Sequence, residues 1–319
     1  MQAYVARRLL LMIPTIFGVT VLIFLAMRVL PGDPLAAIAG EGQVYVLSKE
    51  ELQAVRRSLG IDRPLYQQYM SWMADVFRGK LGYSFWRDKD PIINIINRRL
   101  PITAQIAVMA TIIALVIGLP VGLIAALRRN SWLDYLVRFI VTLFMAIPSF
   151  WLGLTFILIT VLFFSWKPPI ENVYFWDSPW RNFQLTIGPA VALGVGFGAI
   201  IARMSRATLL EVFREDYVRT ARAKGLSERT VTVRHALRNS LLPVLTLSGT
   251  YFGAVMGGTV AVERAFGVHG LGFTLIYAIY ERDWMVIQNL ALLFAVIYVL
   301  VNLSVDLAYA WIDPRVRYQ

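Results

Sequence analysis

The stretch REDYVRTARAKGLSERTVTVRHALRN, Arg214 to Asn239, is the one long charged interruption in the oily second half of this chain. It carries seven Lys or Arg and three Asp or Glu residues. Apolar blocks flank it on both sides, so it reads as a segment that leaves a membrane and re-enters it. Its pattern is more specific than a charged loop requires. Arg206 to Ala223 is rich in helix formers and reads as a helix continuing from the preceding block. Gly225 can take the left-handed conformation that ends such a helix. Ser227 then stands at the N-cap of a second helix, and Leu226 with Val231 has the spacing of a hydrophobic staple. That helix puts Val233 and Leu237 on one face and Arg234 and Arg238 on another. The expectation is a bent helix–glycine–helix knob with small residues at the bend, Thr220, Ala221, Ala223 and Gly225, where another backbone can come close. The plainer alternative is a basic loop that sets orientation or touches anionic lipid. Such a loop needs no hinge, cap or staple.

The rest of the 319-residue chain supplies the membrane. It is 58% hydrophobic and 16% charged, which leaves too little charge for a soluble surface. Six apolar runs are long enough to cross a bilayer as helices: Leu9–Leu30, Thr103–Leu127, Leu136–Phe164, Leu185–Leu210, Leu241–Val262 and Val286–Trp311. With six alternating helices, Arg7, Arg8, Arg128, Arg129, the Arg214–Asn239 stretch, Arg315 and Arg317 fall on one side. That side is read as the cytoplasm, with both termini inside. A net charge of +11 then reflects topology, and nucleic acid is not an expected partner. Without cysteine, disulfides and thiolate metal sites are excluded.

The N-terminal apolar run exceeds the h-region of a signal peptide and reads as an uncleaved anchor. Pro31 to Leu100 is polar and falls outside the cytoplasm in this topology. Ser48 with Glu51 forms a capping box, and Gly60 closes that helix. RPLYQQYMSWMADVFRG reads as a further helix ended by Gly79, with Tyr66, Tyr69, Met70, Met73 and Phe77 on one face. The chain thus divides into residues 1–100, the first span with an outer helical segment, and residues 101–319, a five-helix core with its charged loop near 211–239.

Chemistry of its own is missing from the sequence. No G-x-x-x-x-G-K-[ST] occurs, no His/Glu cluster has ligand spacing, and no catalytic constellation stands out. Gly194, Gly196 and Gly198 fall inside a span and read as close helix packing. Arg28, Arg138, Arg203, Arg206 and Glu263 lie near span ends, where snorkelling or ion pairing accounts for them. Asp134 and Arg138, four apart, are candidates to pair, and Asp306 is a candidate anchor for a basic side chain of another helix. A pore-like protein without an energy source must take its energy from a partner.

The stretch DYVRTARAKGLSERTVTVRHALRNSLLP resembles the EAA loop of ABC-importer permeases, in the dipeptide/oligopeptide/nickel branch. LPGDP at Leu30–Pro34, LGIDRPLYQQYMSW at Leu59–Trp72, RRLP at Arg98–Pro101, IPSFWLGL at Ile147–Leu154 and NLSVDLAYAWIDPRVR at Asn302–Arg317 look like that branch's first permease subunit. The resemblance covers essentially the whole chain. It implies an all-α, six-span type I permease fold and a non-catalytic subunit of a binding-protein-dependent importer. It further implies a homologous second permease, two cytoplasmic P-loop ATPase subunits that carry ATP and Mg, and an extracytoplasmic binding protein. This chain binds no cofactor in that picture. The ATPase-docking residues carried over are Glu215, Asp216, Arg219, Thr220, Ala221, Arg222, Ala223, Lys224, Gly225, Leu226 and Ser227. The sequence departs from the motif where Arg219, Thr220 and Ala221 replace Glu-Ala-Ala, so Glu215 or Asp216 is left to supply an acid. His269 stands where the branch has proline, either as a turn residue or in contact with substrate or binding protein. Gly194, Gly198, Ser248 and Thr250 are small or polar candidates for a substrate pathway, and helix packing explains them equally well. A passive channel or scaffold with a basic loop is the competing reading.

Overall fold

The computed structural model describes residues 2–29, 62–84, 90–169 and 171–312. Ser48, Glu51 and Gly60, with their predicted helix, lie outside these residues. The described elements are helices, apart from one isolated β-bridge between Tyr83 and Pro91. In chain order they are α1 (Gln2–Val29), α2 (Leu65–Phe77), α3 (Ile92–Leu127), α4 (Trp132–Ala146), α5 (Ser149–Phe164), α6 (Pro179–Val212) and α7 (Asp216–Ala223). A single turn, α8 (Glu228–Thr230), and a π-helical turn, Val231–Ala236, run without a break into α9 (Leu237–Gly258). Then come α10 (Val260–Phe266), α11 (Leu271–Tyr280) and α12 (Trp284–Ile312). Among the described residues, five helices are long and apolar enough to cross a membrane, or six spans if α4 and α5 count as one.

The third predicted span is not one rod. α4 and α5 meet at 99°. Pro148 occupies the N-cap of α5, and Ile147 before it is extended at φ −84° and ψ 125°. A residue preceding proline is pushed out of the helical region, so the break is written in the Ile147–Pro148 pair.

The bundle is organised around α3 and α6, which meet along a seam of small residues. Ala110, Ala114, Gly118 and Gly122 repeat every four residues on α3, and Gly194, Gly198 and Ala202 do so on α6. A Cβ at Gly118 would sit 2.5 Å from the Gly198 carbonyl oxygen, and one at Gly194 would sit 2.8 Å from that of Ala110. Apolar lipid gives helices no hydrophobic reason to associate, so such backbone-to-backbone packing is what holds them. A second seam joins α9 to α12, with Gly249, Gly253 and Gly257 facing Val305, Tyr298 and Phe294. α1 is bound more loosely, with Leu10, Ile13, Phe17 and Leu22 exposed toward lipid. Its Arg8 reaches Asp306 of α12 at 2.9 Å, the anchoring role expected of that aspartate.

α2 ends as expected, with Gly79 at φ +72° and the Lys80 amide donating back to the Asp75 carbonyl at 2.8 Å. Its predicted single apolar face is divided. Tyr66, Met70 and Phe77 are exposed, whereas Tyr69 turns to α1, its hydroxyl 2.8 Å from Thr20 and its ring edge-on to Phe24.

Candidate functional site

The charged loop is a folded knob between α6 and α9. The helix predicted to run from Arg206 to Ala223 breaks after Val212. A turn closes there, with the Arg214 amide donating to Glu211 at 3.0 Å and the Glu215 amide to Val212 at 3.1 Å. The break lets α7 fold back so that Val218 and Ala221 bury against Val212, Phe213 and Val231. α7 then stops at Gly225, φ +78°. The Leu226 amide donates to the Ala221 carbonyl at 3.4 Å and the Gly225 amide to Arg222 at 2.9 Å, the paired bonds of a Schellman ending. Ser227 caps the next turn as predicted, its Oγ accepting from the Thr230 amide at 3.4 Å.

Two expectations about the second helix are corrected. It is one α-turn and one π-turn, not a separate helix, and it merges with the fifth span. The Leu226–Val231 staple is not used: Val231 is fully buried against α7, and Leu226 is left exposed. Burying Val231 with Val218 and Ala221 gathers three small apolar side chains inside the knob, which a contact with Leu226 at the tip would not do.

The knob is stitched together by polar contacts. Arg222 grips Glu228 with a two-point fork, 2.8 and 3.2 Å, and lies over the Phe213 ring. Asn239 donates to the Tyr217 hydroxyl at 2.7 Å. Of the predicted docking residues, Ala221 faces inward and Arg222 is engaged with Glu228. Glu215, Asp216, Arg219, Thr220, Ala223, Lys224, Gly225, Leu226 and Ser227 are all exposed. Asp216 projects into solvent and meets Arg219 only at 3.4 Å.

An ion pair that sequence reasoning assigned differently holds the base of this knob. Asp134, fully buried, accepts from Arg206 Nε at 2.7 Å and Nη2 at 2.8 Å. It also accepts from the Asn130 amide at 3.0 Å. Its expected partner, Arg138, instead lies over the Tyr135 ring. The missed signal is the Ser131-x-x-Asp134 pattern: Ser131 caps α4 by accepting from the Asp134 amide, and the Asp134 carboxylate takes the Asn130 amide and Arg206 of α6.

The four pathway candidates do not gather in one place. Gly194 and Gly198 lie in the α3–α6 seam against Ala110 and Ala114. Ser248 is on the wall of a cavity of about 430 Å³ between α9 and α3, with Leu115, Arg238, Leu241 and Leu245. Its hydroxyl donates to the Val244 carbonyl at 2.7 Å. Thr250 is half-buried. If the glycines only pack, Gly194→Ile is expected to destabilise the bundle by about 1–3 kcal/mol, the usual cost of overpacking. Thermal unfolding of the purified chain in detergent checks this.

At the opposite end of the bundle, Glu263 is the residue sequence reasoning placed least well. It does not snorkel. It is fully buried, accepting from Thr103 Oγ1 at 2.8 Å, Thr259 Oγ1 at 2.7 Å and the Phe273 amide at 2.8 Å. The Leu271 amide donates to Thr103 Oγ1 at 2.8 Å, so the pair satisfies the opening amides of α11. His269 sits in the preceding turn. Its carbonyl accepts from Arg99 and Asn172, and its ring stands edge-on to Phe273. Phe266 fills the space left by Gly153 and Gly188, tying α10 to α5 and α6.

Among the described residues, no three His, Cys, Asp or Glu side chains group to hold a metal ion.

Residues 118–318 match the family model for the binding-protein-dependent transport system inner membrane component. Residues 1–107 match the model for the N-terminal part of such membrane components. A Brucella abortus (strain 2308) protein, named as a peptide transport system permease, is 39% identical over 318 residues and all of both chains. The glutathione transport system permease protein GsiC of Escherichia coli (strain K12) is 39% identical over 320 residues, again covering both chains fully. A chain of the MetNI methionine ABC transporter, in inward-facing conformations, superposes with a TM-score of 0.58 at 21% identity, covering 70% of this chain and 98% of that one. The last likeness concerns the fold alone.

Proposed function

The chain belongs to the family of binding-protein-dependent transport inner membrane components, and from that premise we propose that its knob docks a cytoplasmic ATPase during peptide import. The chain is a multi-pass membrane protein and the non-catalytic permease subunit of an ABC importer, which works with partner ATPase and substrate-binding subunits. The finer assignment is our reading. The assembly contains a second, homologous permease and two P-loop ATPases, which hold ATP and Mg. A binding protein on the other side delivers the solute. The cell membrane of a prokaryote, its inner one where there are two, is the place, with both termini in the cytoplasm, because the arginines gather at that end. Peptides or related small solutes are the substrate class, as in the names of the two full-length relatives.

One observation carries the docking assignment: a loop between two spans folds into a small rigid knob whose exposed tip is made of small and polar residues with one leucine, Leu226. α7 is braced from within by Val218, Ala221 and Val231 and from without by the Arg222–Glu228 fork. The tip, Thr220 to Ser227, therefore presents a preformed shape, which costs little ordering entropy on binding. Asp216 and Glu215 are exposed beside it and take the acidic role that Arg219 cannot.

Thr220→Arg, at an exposed site of α7, is expected to lower co-purification of the cognate ATPase roughly fivefold, about 1 kcal/mol of lost contact. The helix and its membrane insertion should remain. ATP-dependent uptake of a labelled peptide in proteoliposomes, with binding protein and ATPase added, tests the function itself. Flux that proceeds without ATP, with no ATPase bound, would establish a passive channel in its place.

A further inference from the structure

At the end of the bundle away from the knob, α2 lies across α1 with two unlike flanks. Tyr66, Met70 and Phe77 are exposed on one. The opposite flank, spaced at helical period, forms the wall of a cavity of about 260 Å³, with Arg28 of α1, Arg63 and Lys80 at the two ends of α2, and Gln288 of α12. Among the described residues, Arg28, Arg63 and Lys80 share this cavity with one carboxylate, Asp75, for a net charge of +2. Among the described residues, Arg63, Lys80 and Asp75 make no ion pair.

The Arg28 side chain and the Arg63 backbone are held in place. Arg28 Nε donates to Gln68 Oε1 at 3.0 Å, and Gln68 Nε2 donates to the Arg63 carbonyl at 2.7 Å, so one glutamine fixes both arginine segments. Arg28 also lies over the Phe24 ring at 4.9 Å. On the same wall, Trp72 carries a buried indole N–H with no partner among the described residues, although its ring is stacked on Phe24. A buried donor left unmatched among the described residues is costly, so this one suits an acceptor seated in the cavity. The apolar flank of α2 suits lipid, which sets the cavity at headgroup depth.

We propose that this cavity binds the phosphate group of a membrane phospholipid. The planar guanidinium groups match phosphate oxygens in a two-point grip, Lys80 adds a point charge, and Trp72 donates its N–H. Asp75 then accepts from the hydroxyl or ammonium of the headgroup. The site owes nothing to the transport reading and stands or falls apart from it.

Native mass spectrometry of the purified full chain, stripped of lipid and titrated with phosphatidylglycerol, tests it. The double variant R63Q/K80Q is expected to weaken binding of the tightest-held lipid about tenfold or more. Trp72→Phe, which keeps the ring and loses the N–H, should weaken it less. Inorganic phosphate is the second probe. Failure to displace the lipid supports a headgroup site, and displacement moves the source to soluble phosphate while keeping the anion site. R63Q/K80Q protein that elutes normally on size exclusion and holds the lipid as tightly as wild type overturns the proposal, as does a wild type that binds neither probe.

Discussion

Gly225→Val is expected to cut ATP-driven uptake about tenfold while leaving membrane insertion unchanged. Gly225 holds φ +78°, a region in which an L-residue costs roughly 1–2 kcal/mol and a β-branched one more. A Cβ there meets nothing within 4 Å, so the penalty is conformational and not steric. The strain falls on the Schellman bonds to Ala221 and Arg222, which set the angle between α7 and the Ser227 cap. Relief comes by unwinding the end of α7, and with it the shape of the tip. Asparagine tolerates the left-handed region, so the order of uptake should be Gly225, Asn, Ala, Val. Uptake of labelled peptide in proteoliposomes, normalised to protein inserted, measures this. If Val equals wild type, the shape of the turn is irrelevant to transport.

Asp134→Ala should be more damaging still to the protein itself, by about 3–5 kcal/mol. It strips Arg206 of its two-point partner and the Asn130 amide of its acceptor at a fully buried position. The α3–α4 turn would detach from α6 next to the root of the knob. The loss should appear as low yield and early thermal unfolding in detergent. The companion variant Asp134→Ala/Arg206→Leu should recover part of it, because no orphaned charge remains. If the single and double variants unfold alike, the pair contributes nothing to anchoring.

How much of this was legible beforehand differs from element to element. The spans were, because length and hydropathy suffice in a solvent that admits only helices and closed barrels. So were the Gly79 and Gly225 endings and the Ser227 cap, which rest on one or two residues of local chemistry. Features that need a partner far along the chain were not. Glu263 finds Thr103, 160 residues away, and Asp134 finds Arg206, 72 away. A charge near the end of an apolar run reads the same whether it snorkels or is buried by such a partner. The bend at Ile147–Pro148 was legible in principle, yet continuous hydropathy across it outweighed the proline. The Leu226–Val231 spacing was present, but α7 folded back and claimed Val231 first. For the pathway candidates, composition identified small residues without their direction. The seam took Gly194 and Gly198, and the cavity between α9 and α3 took Ser248.

The continuity of α8, the π-turn and α9 has a mechanical meaning. From Glu228 to Gly258 the backbone never leaves helical conformation. Ser248 on the cavity wall is therefore joined to the tip at Ser227 by a single shaft, about 30 Å long at 1.5 Å per residue. The shaft has two soft joints, both on the knob side of Ser248. One is the widened turn at Val231–Ala236, where the bonds are longer-spanned. The other is Pro243, which removes a rung from the ladder. The tip of the knob and the cavity wall thus lie on one continuous helix, with its two weakened turns between them.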